Sequence, residues 1–405
     1  MKTKPTVLIT WELGGGLGHL MPLLPIAEGF VKRGAKVFIA YKDLSKVTAI
    51  YGQAGVNFLQ APIRIKSKPF FLPDITFAHI LANVGFGDEG ELFGLACAWR
   101  NLIGLVHPDL VIFDYSPTAL LASRGFPLRR AIVGFGFCTP PDASPLPIVN
   151  PARAAKANPA RLLQAENDIL VRINNVLGAW KQPPISRVSQ LFADVDENIL
   201  STFPVIDHFG PRPGAKYWGP LGSEGGGKPQ WPKGSSCKKI YAYLKPGRYL
   251  SDVLKTLIEL GHSTIVFSHE FPHAMGKNFQ APNICYEDNR LDPKLVALEA
   301  DCAVLNATHG TSLDFLLAGK PIVQLPLTLE QSLITQKTLL TGAVIAPDMS
   351  KELSKNLSES ISTIFSDGSY RKNAESIAEK YRDFDRNTQL KLMLDRLYDL
   401  IEPRN

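Results

Sequence analysis

The sequence predicts an α/β protein made of two Rossmann-like, doubly wound domains. Three observations predict it. Short apolar runs alternate with amphipathic stretches along the 405-residue chain, the pattern of parallel β-α units. A stretch rich in Gly, Pro and Lys over 210–236, with Gly225-Gly226-Gly227, divides that series in two. Apolar content of 45% and charged content of 20% suit a globular chain with sizeable cores.

The elements follow in order. Thr6 to Thr10 is a buried-type strand. Residues 19–33 form a helix whose apolar face carries Leu20, Leu23, Leu24, Ala27, Phe30 and Val31. Pro22 and Pro25 are tolerated there because they lie in its first turns, and Gly34 stops it. Ala35 to Tyr41 is the second strand, completing one β-α-β unit. Asp109 to Asp114 is a strand with a carboxylate at each end, and Arg130 to Phe135 is another. Residues 68–100 are apolar and aromatic, with Phe70, Phe71, Phe77, Phe86, Phe93 and Trp99; residues 136–151 are rich in proline. Both stretches read as core and connector. From Lys239 a second series begins, with strands at 240–244, 263–267, 283–286, 302–306, 321–325 and 343–346. The expected layout is a first domain over 1–210, a linker over 211–238 and a second domain over 239–368. A C-terminal amphipathic helix within 369–405 is expected to pack back on the first domain.

Composition excludes several classes. The net charge of +6 comes from scattered Lys and Arg, with Arg129-Arg130 and Lys238-Lys239 as tight pairs. That excess is far from a nucleic-acid footprint, so no nucleic-acid partner is expected. Five cysteines (Cys97, Cys138, Cys237, Cys285, Cys302) are an odd count without metal-ligand spacing. They predict no metal and a reducing, cytoplasmic setting, with Cys97, Cys285 and Cys302 as buried thiols. Met1 to Pro5 runs at once into a strand, which argues against a signal peptide. No apolar run is long enough to span a bilayer, leaving at most peripheral contact with the inner membrane face.

Two turns carry chemistry. Trp11-Glu12-Leu13-Gly14-Gly15-Gly16-Leu17-Gly18-His19 follows the first strand. Its glycines allow close backbone approach to a ligand. A dinucleotide fingerprint counted from Gly14 meets His19 where a third glycine belongs, although Asp43 keeps that option open. His19 opens a helix, which disfavours imidazolium and leaves a neutral base. The second turn is Asn306-Ala307-Thr308-His309-Gly310-Thr311-Ser312, with Asp314 just after and Glu330-Gln331 beyond the next strand. A helix N-terminus there binds phosphate, and the hydroxyls can add hydrogen bonds.

These motifs resemble the glycosyltransferases of GT-B architecture, family 1 type, in which two Rossmann-like domains face each other across a cleft. More distantly they resemble the lipid-linked GlcNAc transferases. The resemblance rests on Gly18-His19-x-x-Pro22, on Trp218-Gly219-Pro220, and on the donor signature. In that signature Gly310, Thr311, Asp314, Ala318, Gly319, Pro321 and Gln331 take family positions. Asn306 stands where the usual first His belongs, and Ala307 and Thr308 stand on the two Gly positions. Either Asn306 binds phosphate through its amide, or His309 supplies the imidazole.

The resemblance implies an inverting, metal-independent transfer of a hexose from a UDP- or dTDP-sugar to a hydroxyl of a small or lipid-like acceptor. The nucleotide sugar is a co-substrate, and no cofactor is implied. His19 is the general base, paired with a buried Asp; Asp114 fits that place, with Asp109 as competitor. Gly18, Asn306, His309, Gly310, Thr311, Ser312, Asp314, Glu330, Gln331 and Arg290 are implied at the donor site, with Lys245 and Ser268 near the base. The stretches at 68–100 and 136–151 would line the acceptor pocket. Two rivals remain, a sugar-nucleotide epimerase of the same architecture and a non-catalytic scaffold. Asp194-Val195-Asp196 resembles a metal-holding DxD but reads as a solvated turn.

Overall fold

The computed structural model describes residues 4–65, 73–222, 225–233, 238–268, 278–349 and 352–402. Phe70, Phe71 and Cys237 lie outside the described residues. The chain divides into two compact units, residues 1–223 with 385–405, and residues 224–384.

The first unit holds a parallel six-stranded sheet of β1 (Thr6–Trp11), β2 (Lys36–Tyr41), β3 (Asn57–Gln60), β4 (Leu110–Asp114), β5 (Arg129–Gly134) and β6 (Glu197–Leu200), in the order β3-β2-β1-β4-β5-β6. The central strands are buried on both faces, which is why they read as continuous apolar runs. β3 is an edge strand, half polar and mostly exposed, and carries no such signal. Strand order reverses between β1 and β4, the place where an open α/β sheet leaves a crevice at its carboxyl ends.

The helix Leu17–Lys32 covers this sheet with Leu20, Leu23, Ile26, Ala27 and Phe30. Met393, Leu394 and Leu397, from the last helix (Arg386–Asp399), join the same core. Gly29 admits Leu394: a methyl built on Gly29 would overlap the Leu394 side chain. Arg33 pairs with Asp395 and lies over the Tyr398 ring.

The tail expected as one helix is instead two, Gly368–Lys380 and Arg386–Asp399. The break is a turn closed by Phe384 N–H on the Tyr381 carbonyl, after which Asp385 caps the new helix through the Thr388 N–H at 2.7 Å. The first of the two buries Ala374 and Ile377 in the second unit. Residues 68–100 also resolve into parts. Phe77, Phe86 and Trp99 are fully buried core, whereas Phe93 is exposed.

The second unit repeats the plan. Its strands are β7 (Lys239–Tyr243), β8 (Ser263–Phe267), β9 (Ile284–Glu287), β10 (Cys302–Leu305), β11 (Ile322–Gln324) and β12 (Val344–Ile345). All are parallel, in the order β12-β11-β10-β7-β8-β9. Here the order reverses between β7 and β10. Cores on the two faces of this sheet are built on Ile240, Val266 and Val304, and on Tyr241, Ile265 and Ala303.

Candidate active site

In the first unit, β1 ends at Trp11 and the chain turns through Gly14 and Gly16, both at positive φ (78° and 82°). That backbone suits glycine. A methyl on Gly14 would also overlap His19 Nε2, so the loop lies against the imidazole. His19 sits in the first turn of the helix Leu17–Lys32, and Gly18 beside it is exposed with open space around its Cα.

Asp114, the last residue of β4, accepts at Oδ2 a hydrogen bond from His19 Nδ1 at 2.8 Å. Both side chains are buried, with 7% and 5% of their surface exposed. Burial raises the Asp114 carboxyl above its ordinary value, and His19 pulls it back down. The imidazole is stacked on Trp11 at 5.4 Å and on Tyr115 at 6.3 Å between ring centroids. Tyr115 takes a left-handed backbone (φ 44°), and its carbonyl receives the Leu13 N–H at 3.0 Å. Both neighbours therefore fix the loop on either side of the pair. Asp109, the competing carboxylate, instead accepts the Thr6 N–H at 2.7 Å at the far end of the sheet.

Sequence reasoning passed over Glu12. Its buried carboxylate accepts N–H groups of Thr118 and Ala119 at 3.0 and 3.4 Å, at the start of the helix Pro117–Ala122. Burial pushes its pKa up to about 7, against the lowering effect of those bonds and of Lys42. Lys42 donates to the Gly14 carbonyl at 2.7 Å. Glu12 and Lys42 thus anchor the start of the glycine loop.

The Asp194-Val195-Asp196 carboxylates are occupied by arginine. Arg124 bonds Asp194 at 2.7 Å, and Arg129 bonds Asp196 at 2.9 Å.

In the second unit, Asn306 follows β10 at the strand reversal. Its Oδ1 accepts the Lys245 N–H at 2.6 Å and its Nδ2 donates to the Leu325 carbonyl at 2.8 Å. The buried amide therefore clips together the chain after β7, β10 and β11. Both polar ends of the amide, offered as a phosphate ligand in one of the two sequence readings, have protein partners here. Ala307 then adopts φ 53° at a family glycine position.

The helix His309–Leu317 starts after Thr308, whose side chain provides no cap and whose Oγ1 is buried without a hydrogen-bond partner. As first-turn donors, the N–H groups of Gly310 and Thr311 have no intrahelical acceptor. Gly310 is exposed, and a methyl there would meet nothing within 4 Å. Burial pushes the His309 pKa down to about 3, which favours the neutral imidazole.

Two expected donor residues face inward. Ser312 is fully buried, and its Oγ accepts from Gln324 Nε2 at 3.1 Å, so it serves the core. Gln331 Oε1 accepts the N–H groups of Leu327 and Thr328 at 2.7 and 3.2 Å, as part of a capping box at the helix Leu329–Leu339. Ser312 and Gln331, both expected at the donor site, thus have buried side chains bonded to protein groups. Glu330 remains half-buried in that helix's first turn. Burial raises the pKa of the Tyr241 hydroxyl, with the charge of Asp314 adding to the rise and that of Arg290 opposing it. Ser268 is buried at the end of β8, and Lys245 is half-buried after β7. Cys302 is buried, while Cys97 and Cys285, also expected to be buried, are half-exposed.

No protein-family model matches the chain, and no curated protein matches its sequence. Solved structures do. A glycotransferase of kitacinnamycin aligns with a TM-score of 0.71 at 14% identity, covering 99% of this chain and 100% of its own. CalG4, the calicheamicin glycosyltransferase, aligns at 0.70 and 14% identity, covering 98% of each chain. Glycosyltransferase VinC, in complex with DTDP, aligns at 0.66 and 13% identity, covering 98% of this chain and 99% of its own. The chain has the GT-B fold of the family 1 glycosyltransferases that its loop and donor-turn motifs resemble.

Proposed function

We propose that the chain is a glycosyltransferase that moves a sugar from a nucleotide-diphosphate sugar, UDP- or dTDP-linked, to a hydroxyl of a small or lipid-like acceptor. The observation that carries this reading is the buried His19–Asp114 hydrogen bond of 2.8 Å at the strand reversal of the first sheet. Asp114 fixes the imidazole tautomer and stabilises the imidazolium that forms. His19 takes the acceptor proton as the hydroxyl oxygen attacks the anomeric carbon and the diphosphate leaves, with inversion. The DTDP bound in VinC supports a nucleotide donor for this fold.

In the second unit, the N–H groups of Gly310 and Thr311, at the positive end of their helix, suit the leaving diphosphate without a metal. In this reading Glu330, half-buried in the first turn of the helix Leu329–Leu339, accepts from sugar hydroxyls, while Asn306 and Gln331 hold the backbone that shapes this turn. In this reading Arg290 supplies a positive charge to the nucleotide. Among the described residues no helix is long and apolar enough to cross a membrane, so an acceptor in lipid would be met at a surface.

Incubation with UDP- and dTDP-sugars and a panel of hydroxylated acceptors tests the reading. Acceptor-dependent release of nucleoside diphosphate with an inverted product supports it. Conversion of the sugar nucleotide to its epimer, or binding without turnover, supports the rival epimerase or scaffold instead.

A further inference from the structure

A third ligand-type side chain stands beside the His19–Asp114 pair. Cys138 arrives on the short turn Gly136–Cys138 after β5. A ring nitrogen of His19, a carboxylate oxygen of Asp114 and Cys138 Sγ lie within 4.8 Å of one another. All three are buried, Cys138 at 2% exposure. The next residue, Thr139, is fully buried, and its hydroxyl has no hydrogen-bond partner. Gly134 packs its bare Cα against Cys138, Thr139 and Asp114. A methyl built on it would lie 3.3 Å from Cys138 Cβ, 3.6 Å from Thr139 Oγ1 and 3.7 Å from Asp114 Oδ1. The loop is held in place from below. Arg212 donates to the carbonyls of Gly136 (3.1 Å) and Thr139 (2.6 Å), and is itself fixed by the buried Asp207 at 2.8 and 3.0 Å.

We propose that His19, Asp114 and Cys138 form a binding site for a thiolate-preferring divalent cation of the Zn2+ type, and that its occupation blocks the base. Imidazole, carboxylate and thiolate together favour Zn2+, or Co2+ and Cd2+ as its substitutes, over Mg2+ and Ca2+. On binding, the thiol releases its proton to solvent. Thiolate and carboxylate then balance the two charges of the ion, and His19 coordinates as neutral imidazole with its proton on the other ring nitrogen. That ring has no lone pair left for an acceptor proton. The blocking role rests on the glycosyltransferase reading; the binding does not.

The test uses the full-length, chelator-treated protein titrated with Co2+ and Cd2+, with Mg2+ as control. Thiolate-to-metal charge-transfer absorption is expected to saturate at a single ion per chain, with no response to Mg2+. Cys138→Ser should lose the band, and His19→Ala should bind the ion more than about 100-fold more weakly while keeping the thiol. Cys302→Ala, in the other unit, should leave the band intact. Absence of a band in the parent protein, or its persistence in Cys138→Ser, overturns the site. If Cys138→Ser does not fold, the affinity of His19→Ala decides; an unchanged value overturns it equally. In the transfer assay Zn2+ should inhibit the parent and spare Cys138→Ser. Binding without inhibition of an active enzyme overturns the blocking role, whereas absence of transfer by the metal-free protein counts against the glycosyltransferase reading alone.

Discussion

Asp114 Oδ2 lies 2.8 Å from His19 Nδ1, and that bond joins the end of β4 to the helix that follows β1. It spans the one place in the first sheet where strand order reverses. Asp114→Asn keeps the shape but loses the charge that stabilises imidazolium. Its turnover number should fall about 100- to 10,000-fold, and His19→Ala should fall by at least as much. Donor affinity, measured by nucleotide titration, should barely change in either, since the proposed diphosphate-binding turn at Gly310 and Thr311 lies in the other unit. Strong loss of nucleotide affinity with turnover intact would falsify the assignment.

Gly14→Ala tests the loop over the imidazole. The residue sits at φ 78°, and its new methyl would overlap His19 Nε2. Left-handed strain should cost about 1–2 kcal/mol of stability. The displaced ring should also slow transfer. Gly15→Ala, which meets nothing within 4 Å, is the comparison and should leave both nearly unchanged. Equal effects of the two, by thermal melting and turnover, would remove the case for loop–imidazole contact.

Asn306→Ala should behave as a structural lesion. It strands the Lys245 N–H and the Leu325 carbonyl, each now bonded to the amide. The expected loss is about 2–4 kcal/mol in urea unfolding, from two unsatisfied polar groups. Nucleotide affinity of the folded fraction should drop less than in Thr311→Pro, which distorts the first-turn donors themselves. An Asn306→Ala chain of unchanged stability but lost affinity would restore the direct phosphate contact.

Glu12 predicts a pH dependence. Its folded pKa of about 7 lies above the ordinary 4.5, so the folded state holds the proton more tightly than the unfolded state. The stability it contributes is therefore complete below about 4.5 and is lost as pH rises to about 7, on the order of 3 kcal/mol. Glu12→Gln keeps an acceptor for the Thr118 and Ala119 N–H groups without the charge. Chemical denaturation across this window should show a flatter profile for the variant and higher stability than the parent at neutral pH. A parallel profile would mean that Glu12 titrates near its ordinary value in the folded chain.

His309 should prove a donor ligand of moderate strength. Held neutral by burial, it can still donate a ring N–H to a phosphate oxygen, a bond in which only the acceptor is charged. His309→Ala should weaken nucleotide binding by about 1.5–3 kcal/mol, the range of a hydrogen bond to a charged group. Calorimetric titration at neutral pH decides; a much larger loss points to a charged imidazole in the complex.

The sequence by itself determined the two Rossmann-like series, because parallel strands buried on both faces must be apolar throughout. The family resemblance read from it offered His19 and Asp114 as a pair, with Asp109 as competitor; His19 lies in the first turn of the helix after β1, and Asp114 closes β4. The sequence did not reveal β3, whose short polar edge is stabilised by backbone pairing with β2 and not by an apolar pattern. Nor did it reveal the break at 381–385, because amphipathic spacing continues across it. Only the tertiary structure decided that Ser312, Gln331 and Asn306 turn toward protein partners. A motif fixes residue type and spacing, but side-chain direction depends on which backbone and side-chain polar groups its neighbours leave unsatisfied. The same holds for Cys138. Nothing in its local sequence links it to His19 and Asp114, and it reaches them because β5 lies beside β4 and the Asp207–Arg212 pair holds the loop there.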